Sequence, residues 1–205
     1  MLRLTPTKGN LIALKRSLVM ANMGYELLDR KRTILINELM LQLDGVKHLR
    51  SELSSSFNAA YIALQRANLT LGFVDDLAEA VPLEEGLTIT YRSVMGVELP
   101  QVHLAEKATP DLPYGFSRSN LFVDDAYRTF QQVKRLTVML AQVENSVYRL
   151  TEEIRKTQKR ANALKNVIIP EYHETLKWVS NILEEREREE FTRMKMIKSS
   201  GGIKL

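Results

Sequence analysis

Between Thr5 and about Leu71 the chain repeats apolar side chains at alternating intervals of three and four. The series runs Leu11, Leu14, Leu18, Ala21, Tyr25, Leu28, Arg32, Leu35, Leu39, Gln42, Val46, Leu49, Leu53, Ser56, Ala60, Ala63, Ala67 and Thr70, and only Arg32, Gln42, Ser56 and Thr70 are not apolar. That spacing keeps one stripe of a helix turned toward a partner, as in a coiled-coil seam. A second series supplies the partner from the same chain: Phe122, Ala126, Val133, Leu136, Leu140, Val143, Val147, Leu150, Ile154, Ala161, Leu164, Ile168, Trp178 and Ile182. The fold class that follows is dominated by α-helix, with two very long helices pairing antiparallel around a small β-hairpin module. The chain divides into an N-terminal helix (1–80), a hairpin and loop module (81–119), a C-terminal helix (120–198) and a flexible tail (199–205).

Two such helices absorb most of the 205 residues and string the 44% apolar content along two lines. A rod with a thin seam has no room for an enclosed active site. The 29 basic and 25 acidic residues are interspersed and leave a net charge of +4, which suits a solvated coiled-coil surface better than a nucleic-acid groove. There is no cysteine, so disulfides and thiolate metal sites are excluded. The N-terminal Met-Leu-Arg-Leu-Thr-Pro lacks the apolar core of a signal peptide, and no run approaches the roughly 18 apolar residues that span a bilayer. These features imply a soluble, cytoplasmic chain.

Local signals set the expected boundaries. Thr5 reads as a helix cap with Pro6 at the first helical position, and Pro82 as the stop. Leu87 to Val94 alternates apolar and polar, then Met95-Gly96 turns into Val97-Glu98-Leu99, a short hairpin; His103 to Tyr114 reads as irregular. Ser117, Ser119 and Asn120 are alternative caps for the second helix, with Asp124 and Asp125 in its first turn, and Pro170 predicts a kink. With the outer helix ends level, Arg32 falls beside Glu171; either the pair fixes register or both side chains snorkel outward independently.

Catalytic constellations are missing. His48, His103 and His173 have no second histidine at metal-ligand spacing, and Thr7-Lys8-Gly9 lacks the rest of a phosphate loop. Asp75-Asp76 and Asp124-Asp125 read as helix starts. Two charged stretches stand out: Lys8, Lys15, Arg16 with Arg30, Lys31 and Arg32, and the run Glu184-Glu185-Arg186-Glu187-Arg188-Glu189-Glu190. Either they are solvated helix faces laced with pairs such as Glu184 with Arg188, or they dock a charged partner.

Both ends carry ordered motifs: Pro6-Thr7-Lys8, Leu11, Leu14-Lys15, Leu18, Ala21, Gly24, Leu27-Leu28 and Lys31-Arg32, then Arg160-Ala161-Asn162-Ala163-Leu164, Val167-Ile168-Ile169-Pro170 and Leu183 through Phe191. In these the chain resembles the D subunit of the V-type and archaeal A-type rotary ATPases, and its short tail resembles the bacterial and archaeal members. The resemblance implies a noncatalytic central-stalk rotor without cofactor, a left-handed antiparallel coiled coil that carries torque in ATP synthesis or hydrolysis coupled to ion transport, including hydrogen ion transport. It implies as partners the hexameric head of A and B subunits, the F subunit on the side of the shaft, and the C subunit (named d in eukaryotes) as the membrane-side socket, on the cytoplasmic face and without bilayer insertion. The head-docking candidates are then Pro6, Thr7, Lys8, Lys15, Arg16, Glu184, Glu185, Arg186, Arg188, Phe191 and Arg193. A prefoldin-like chaperone and a basic arm for RNA are the competing readings, of which the first expects a multi-hairpin β body and the second aromatics among the basic residues.

Overall fold

A computed structural model describes residues 5–105, 113–115 and 119–200. The elements in order are α1 (Lys8–Leu71), α2 (Asp75–Glu79), β1 (Leu87–Val94), β2 (Val97–Leu104), α3 (Leu121–Ala163), a π-helical turn (Leu164–Ile168) and α4 (Ile169–Ser200). They form two compact units: a terminal unit of Met1–Thr33 with Arg155–Leu205, and a hairpin unit of Ile34–Ile154, so α1 and α3 contribute to both. In each unit α1 pairs antiparallel with the returning helix. Lys8 lies beside Glu187 and Arg32 beside Gln158 in the one, and Arg50 beside Glu144 and Thr70 beside Asn120 in the other.

The first seam follows the sequence pattern. Leu14, Ala21, Leu35, Ala60, Ala63 and Ala67 are buried, and of the whole series only Thr70 is exposed. The second seam departs from the expected one in two places. Val123 is buried where Phe122 was expected, and Val179 is fully buried where Trp178 was expected, leaving Phe122 and Trp178 each 41% exposed. The π-helical turn accounts for the second shift. Its wider i→i+5 bonding, seen in the Ile169 N–H donating to the Leu164 carbonyl, puts one more residue into a turn, so the buried position beyond it falls one residue later. This turn is also how the chain accommodates Pro170, which has no N–H to give to the helix ladder. Ser146, Thr157 and Thr175 complete the buried line; Ser146 and Thr175 each donate a hydroxyl to the carbonyl one turn back, which satisfies a polar group without a cross-helix partner.

Helix ends obey local rules that correct three expectations. α1 is capped by Thr7 rather than Thr5: the Thr7 hydroxyl accepts from the Asn10 N–H at 3.2 Å, while Thr5 accepts from the Asn10 side chain. It ends at Leu71, well before Pro82, because Gly72 adopts φ +79° and its N–H closes on the Asn68 carbonyl at 2.9 Å. Asn120 caps α3, its Oδ1 accepting from the Val123 N–H at 3.1 Å and its amide donating to Thr70 at 2.8 Å; Ser117 lies outside the described residues. α4 runs on to Ser200, two residues past the expected end, and 201–205 of the expected tail are outside the described residues.

The hairpin turns at Met95–Gly96, both with positive φ (51° and 80°), the mirror-image turn that matches strand twist. Its second strand reaches Leu104, further than the sequence suggested, since Pro100 and His103 pair with Tyr91 and Thr88; a two-stranded sheet has free edges where a proline costs nothing. Of the stretch expected to be irregular, 106–112 lie outside the described residues. Val97 and Leu99 pack into a cluster with Leu35 and Leu150, ringed by Leu39, Val94 and Ile154. Polar ties flank the cluster: Arg92 to Glu38 at 2.8 Å, the Val102 N–H to Gln142 at 2.8 Å, and Lys134 to Glu84 at 2.6 Å. Near the helix junction a second cluster joins Ala67, Tyr114 and Val123. Tyr114 donates to Asp124 at 2.8 Å, and burial, followed by that bond, pushes its phenol well above the usual value of 10.

Two outcomes follow from these clusters. Leu150→Ala should lower unfolding free energy by about 2–5 kcal/mol in urea titration, because it opens a cavity under the hairpin. Tyr114 keeps its proton in the fold where the unfolded chain would lose it near pH 10, so its contribution is intact below that pH and falls as pH rises beyond it. Tyr114→Phe should therefore be less stable at neutral pH yet show a shallower decline in melting temperature above pH 10.

Candidate functional site

The terminal unit gathers the sequence-predicted docking residues. Capping by Thr7 fixes the first turn of α1, and this sets Pro6 and Lys8 against α4: Arg186 Nη1 donates to the Pro6 carbonyl at 3.2 Å, and Lys8 Nζ meets Glu187 at 2.8 Å. The hydrogen bond and charge of Glu187 raise the Lys8 ammonium above its ordinary value, although both side chains are well exposed. Such a pair orients more than it stabilises. The structure thus brings Pro6, Thr7, Lys8 and Arg186 together. Lys15 and Arg16 lie further along α1, Arg16 on the rim of a shallow groove lined by Ser17, Met20, Ala21, Leu164, Ile168 and Tyr172.

Glu184, Glu185, Arg188, Phe191 and Arg193 are exposed along α4. Within this run Arg193 reaches Glu189 at 4.0 Å, whereas the expected Glu184–Arg188 pair does not form among the described residues. Exposed side chains gain too little in water to hold every permitted pair. Lys8 sits beside Glu187, and α4 continues past that point to Ser200. There Phe191, Met194, Met196 and Ile197 are all exposed, between Arg193, Lys195 and Lys198. Sequence reasoning found Phe191 but passed over the two methionines, which fall outside the heptad series.

A second apolar surface was also missed. At the junction of α1 with α2 and at the start of α3, Leu69, Phe73 and Leu121 are at least 79% exposed, and Leu71 and Phe122 are partly so. The signal in the sequence was that Leu69, Phe73 and Leu121 fall out of step with the seams. Single exposed apolar residues are ordinary; grouped ones mark contact surfaces.

Arg32 does not meet Glu171. Its Nη1 donates to Gln158 Oε1 at 2.6 Å and its Nη2 pairs with Asp29 at 2.7 Å, while Gln158 donates in turn to Asn162 at 2.7 Å. Glu171 lies roughly 20 Å further along the returning helix at 1.5 Å per residue. The expectation failed because the helix ends are not level. A polar knot in the seam remains, with Arg32 Nε buried and lacking a partner.

His48 approaches Glu52 at 3.6 Å, His103 lies in β2 and His173 on exposed α4 surface. Among the described residues no three metal-binding side chains converge, and no helix is long and apolar enough to cross a membrane. What the two surfaces offer is contact with other macromolecules.

The comparisons with known proteins bear on which. A family model describing the D subunit of ATP synthase matches residues 10–199. The chain is 45% identical to the V-type ATP synthase D subunit of Thermotoga neapolitana, over 94% of this chain and 96% of that one. It is 36% identical to the A-type ATP synthase D subunit of Pyrococcus abyssi, with 97% and 94% covered, and 34% identical to that of Methanobrevibacter smithii, with 96% and 87% covered.

The polar knot predicts a coupled mutational response. Arg32→Ala should cost about 1–3 kcal/mol, since Gln158 and Asp29 lose a charged donor. Arg32→Leu combined with Gln158→Leu should recover most of that loss, giving a coupling energy of about 0.5–3 kcal/mol in a double-mutant cycle. Additive effects would show that the knot is not a unit.

Proposed function

Since the chain belongs to the family of ATP synthase D subunits, we propose that it is the central rotor shaft of a V/A-type ATPase, a noncatalytic component that transmits torque between the nucleotide-processing head and the ion-translocating membrane rotor. The observation that carries this reading is the apolar tip of α4, where Phe191, Met194 and Met196 stand exposed among basic residues. A helix end of this chemistry suits seating in a surrounding partner, and the docking residues Pro6, Thr7, Lys8, Lys15, Arg16, Glu184, Glu185, Arg186, Arg188 and Arg193 belong to the same unit.

In this reading the terminal unit meets the hexameric head of A and B subunits. The apolar group of Leu69, Phe73 and Leu121 meets the C subunit, the membrane-side socket, and the F subunit binds a lateral face outside the seams. The complex works at the cytoplasmic face, and proton or other ion movement belongs to the membrane rotor. ATP chemistry belongs to the head. Exposed pairs such as Lys8–Glu187 support rotation physically: weak, exchangeable contacts let the shaft leave one angle for the next, whereas strong buried pairs would trap it.

Tagging this chain in its own cells should co-isolate an A/B-type ATPase head; an intact preparation without that head overturns the reading. Removing residues 197–205 should reduce coupling between ATP hydrolysis and rotation while leaving the circular-dichroism melting curve of the isolated chain close to that of the full chain. A truncated chain that fails to fold would contradict the division of labour between seam and helix end.

A further inference from the structure

The two edges of the hairpin are treated differently. Val94 and Val97 flank the turn and the Ala105 N–H donates to the Gly86 carbonyl, so the even-numbered residues of β1 trade backbone bonds with β2; the odd-numbered ones, Leu87, Ile89, Tyr91 and Ser93, turn their N–H and C=O groups outward. On β2 the outward positions are Glu98, Pro100, Val102 and Leu104. That edge is largely closed: Arg149 of α3 donates to the Glu98 carbonyl at 2.9 Å, Gln142 of α3 accepts from the Val102 N–H at 2.8 Å, and Pro100 has no N–H to offer. β1 has no such cover. Among the described residues no hydrogen bond reaches the outward backbone groups of Leu87, Ile89, Tyr91 or Ser93, and the side chains of Leu87, Ile89 and Tyr91 are between 42% and 57% exposed. The strand contains no proline, lysine or bulge, the devices that keep an edge from accepting another strand.

We infer that the free edge of β1 pairs antiparallel with the same edge of a second copy of this chain, around a twofold axis through Thr90. The strand is complementary to itself in that register. Ile89 falls opposite Tyr91 of the second copy and Thr90 opposite its own counterpart, and both kinds of pair are favoured across strands. Leu87 meets Ser93 and Thr88 meets Arg92. Arg92 is the only charge on the strand, is held by Glu38 at 2.8 Å, and never meets its counterpart. A strand from another protein would have to match this pattern, whereas a second copy carries it by construction. Four strands replace two, past the point at which a hairpin is marginal. Association stops there, because the β1 edges consume each other while α3 and Pro100 guard the β2 edges; the product is a closed pair, not an open fibre. Each hairpin keeps its seat on Leu35 and Leu150, so the copies share an edge and not a core. The inference does not rest on the rotor reading, in which the shaft is single and the pair is a form of the chain outside the complex.

Sedimentation equilibrium of the full chain should show reversible dimers, and nothing larger, as the concentration rises to the order of 100 μM. Thr90→Lys sets two ammonium groups face to face on the twofold and should weaken dimerisation on the order of tenfold or more; Thr90→Glu should do the same with carboxylates. An equimolar mixture of these two variants should pair again. Because the chain has no cysteine, Thr90→Cys supplies a single thiol within disulfide reach of its counterpart, and oxidation by copper-phenanthroline should link the copies. Thr88→Cys, set opposite Arg92, should cross-link far more slowly. Melting curves verify that each variant folds, and the cysteine variants test the edge without added charge. A chain that stays monomeric, assemblies larger than two, dimers that Thr90→Lys leaves intact, charge variants that fail to pair in the mixture, or equal cross-linking of the two cysteine variants overturn the inference.

Discussion

Every large side chain that α1 buries lies on one stripe, and the stripe is only one side chain wide. The buried positions are Leu14 and Ala21 in the terminal unit, then Leu35, Ala60, Ala63 and Ala67 in the hairpin unit; beyond the returning helix, Leu35 meets Val97 and Leu99 of β2, and Ala67 meets Tyr114. Each large residue on such a line contributes about 1.5–3 kcal/mol before ordering entropy is counted, so cohesion depends on continuity more than on any one contact. The alanines near the end of α1 keep that part of the line thin, and at Gly24 an added Cβ would make an ordinary van der Waals contact of 3.8 Å with Leu164. Among the described residues, the groove beside this line at Arg16 and Leu164 is shallow and open.

The hairpin shows the same dependence. Two strands alone are marginal in water, and all of β1 up to Ser93 is exposed. The hairpin persists because β2 sends Val97 and Leu99 down onto Leu35 and Leu150, at a point where the seam is itself dry. Arg92, Gln142 and Lys134 then hold the rim. A module that borrows its core from the seam reports on the seam: any loosening of the helices there reaches the strands directly. The β1–β2 sheet pairs within its own chain and packs on its own helices, unlike the shared β body of a prefoldin-like assembly.

The first seam was legible in the sequence because each of its positions repeats one rule, and burial followed that rule from Leu11 to Ala67. The turn at Met95–Gly96 was equally legible. Boundaries were not, since they rest on single residues: Gly72 stops α1 where periodicity continues, and Thr7 takes the cap that Thr5 could equally have taken. Register was illegible for a different reason. Heptads repeat, so a slide by whole heptads preserves the match of apolar lines, and only side-chain chemistry such as Arg32 with Gln158 distinguishes one alignment from another. The exposed apolar groups around Phe73 and Met194 were hidden because a search for seams discards whatever lies off them.

The π-helical turn at Leu164–Ile168 makes chain length itself a carrier of information. Were one residue lost there, the turn would close to ordinary α-helix and Val179 would keep its place on the dry side, because the widened turn is what takes up that residue. Were one residue lost instead between Ile169 and Val179, with no widened turn to take up the difference, everything after it would swing by about 100° around the helix axis and the acidic and basic rows would face new directions. Substitutions along α4 can accumulate one at a time, but a change of length is tolerated at the turn and disruptive beyond it. Lineages of this protein should therefore vary in residue count at the turn itself while keeping the count between Ile169 and Glu187.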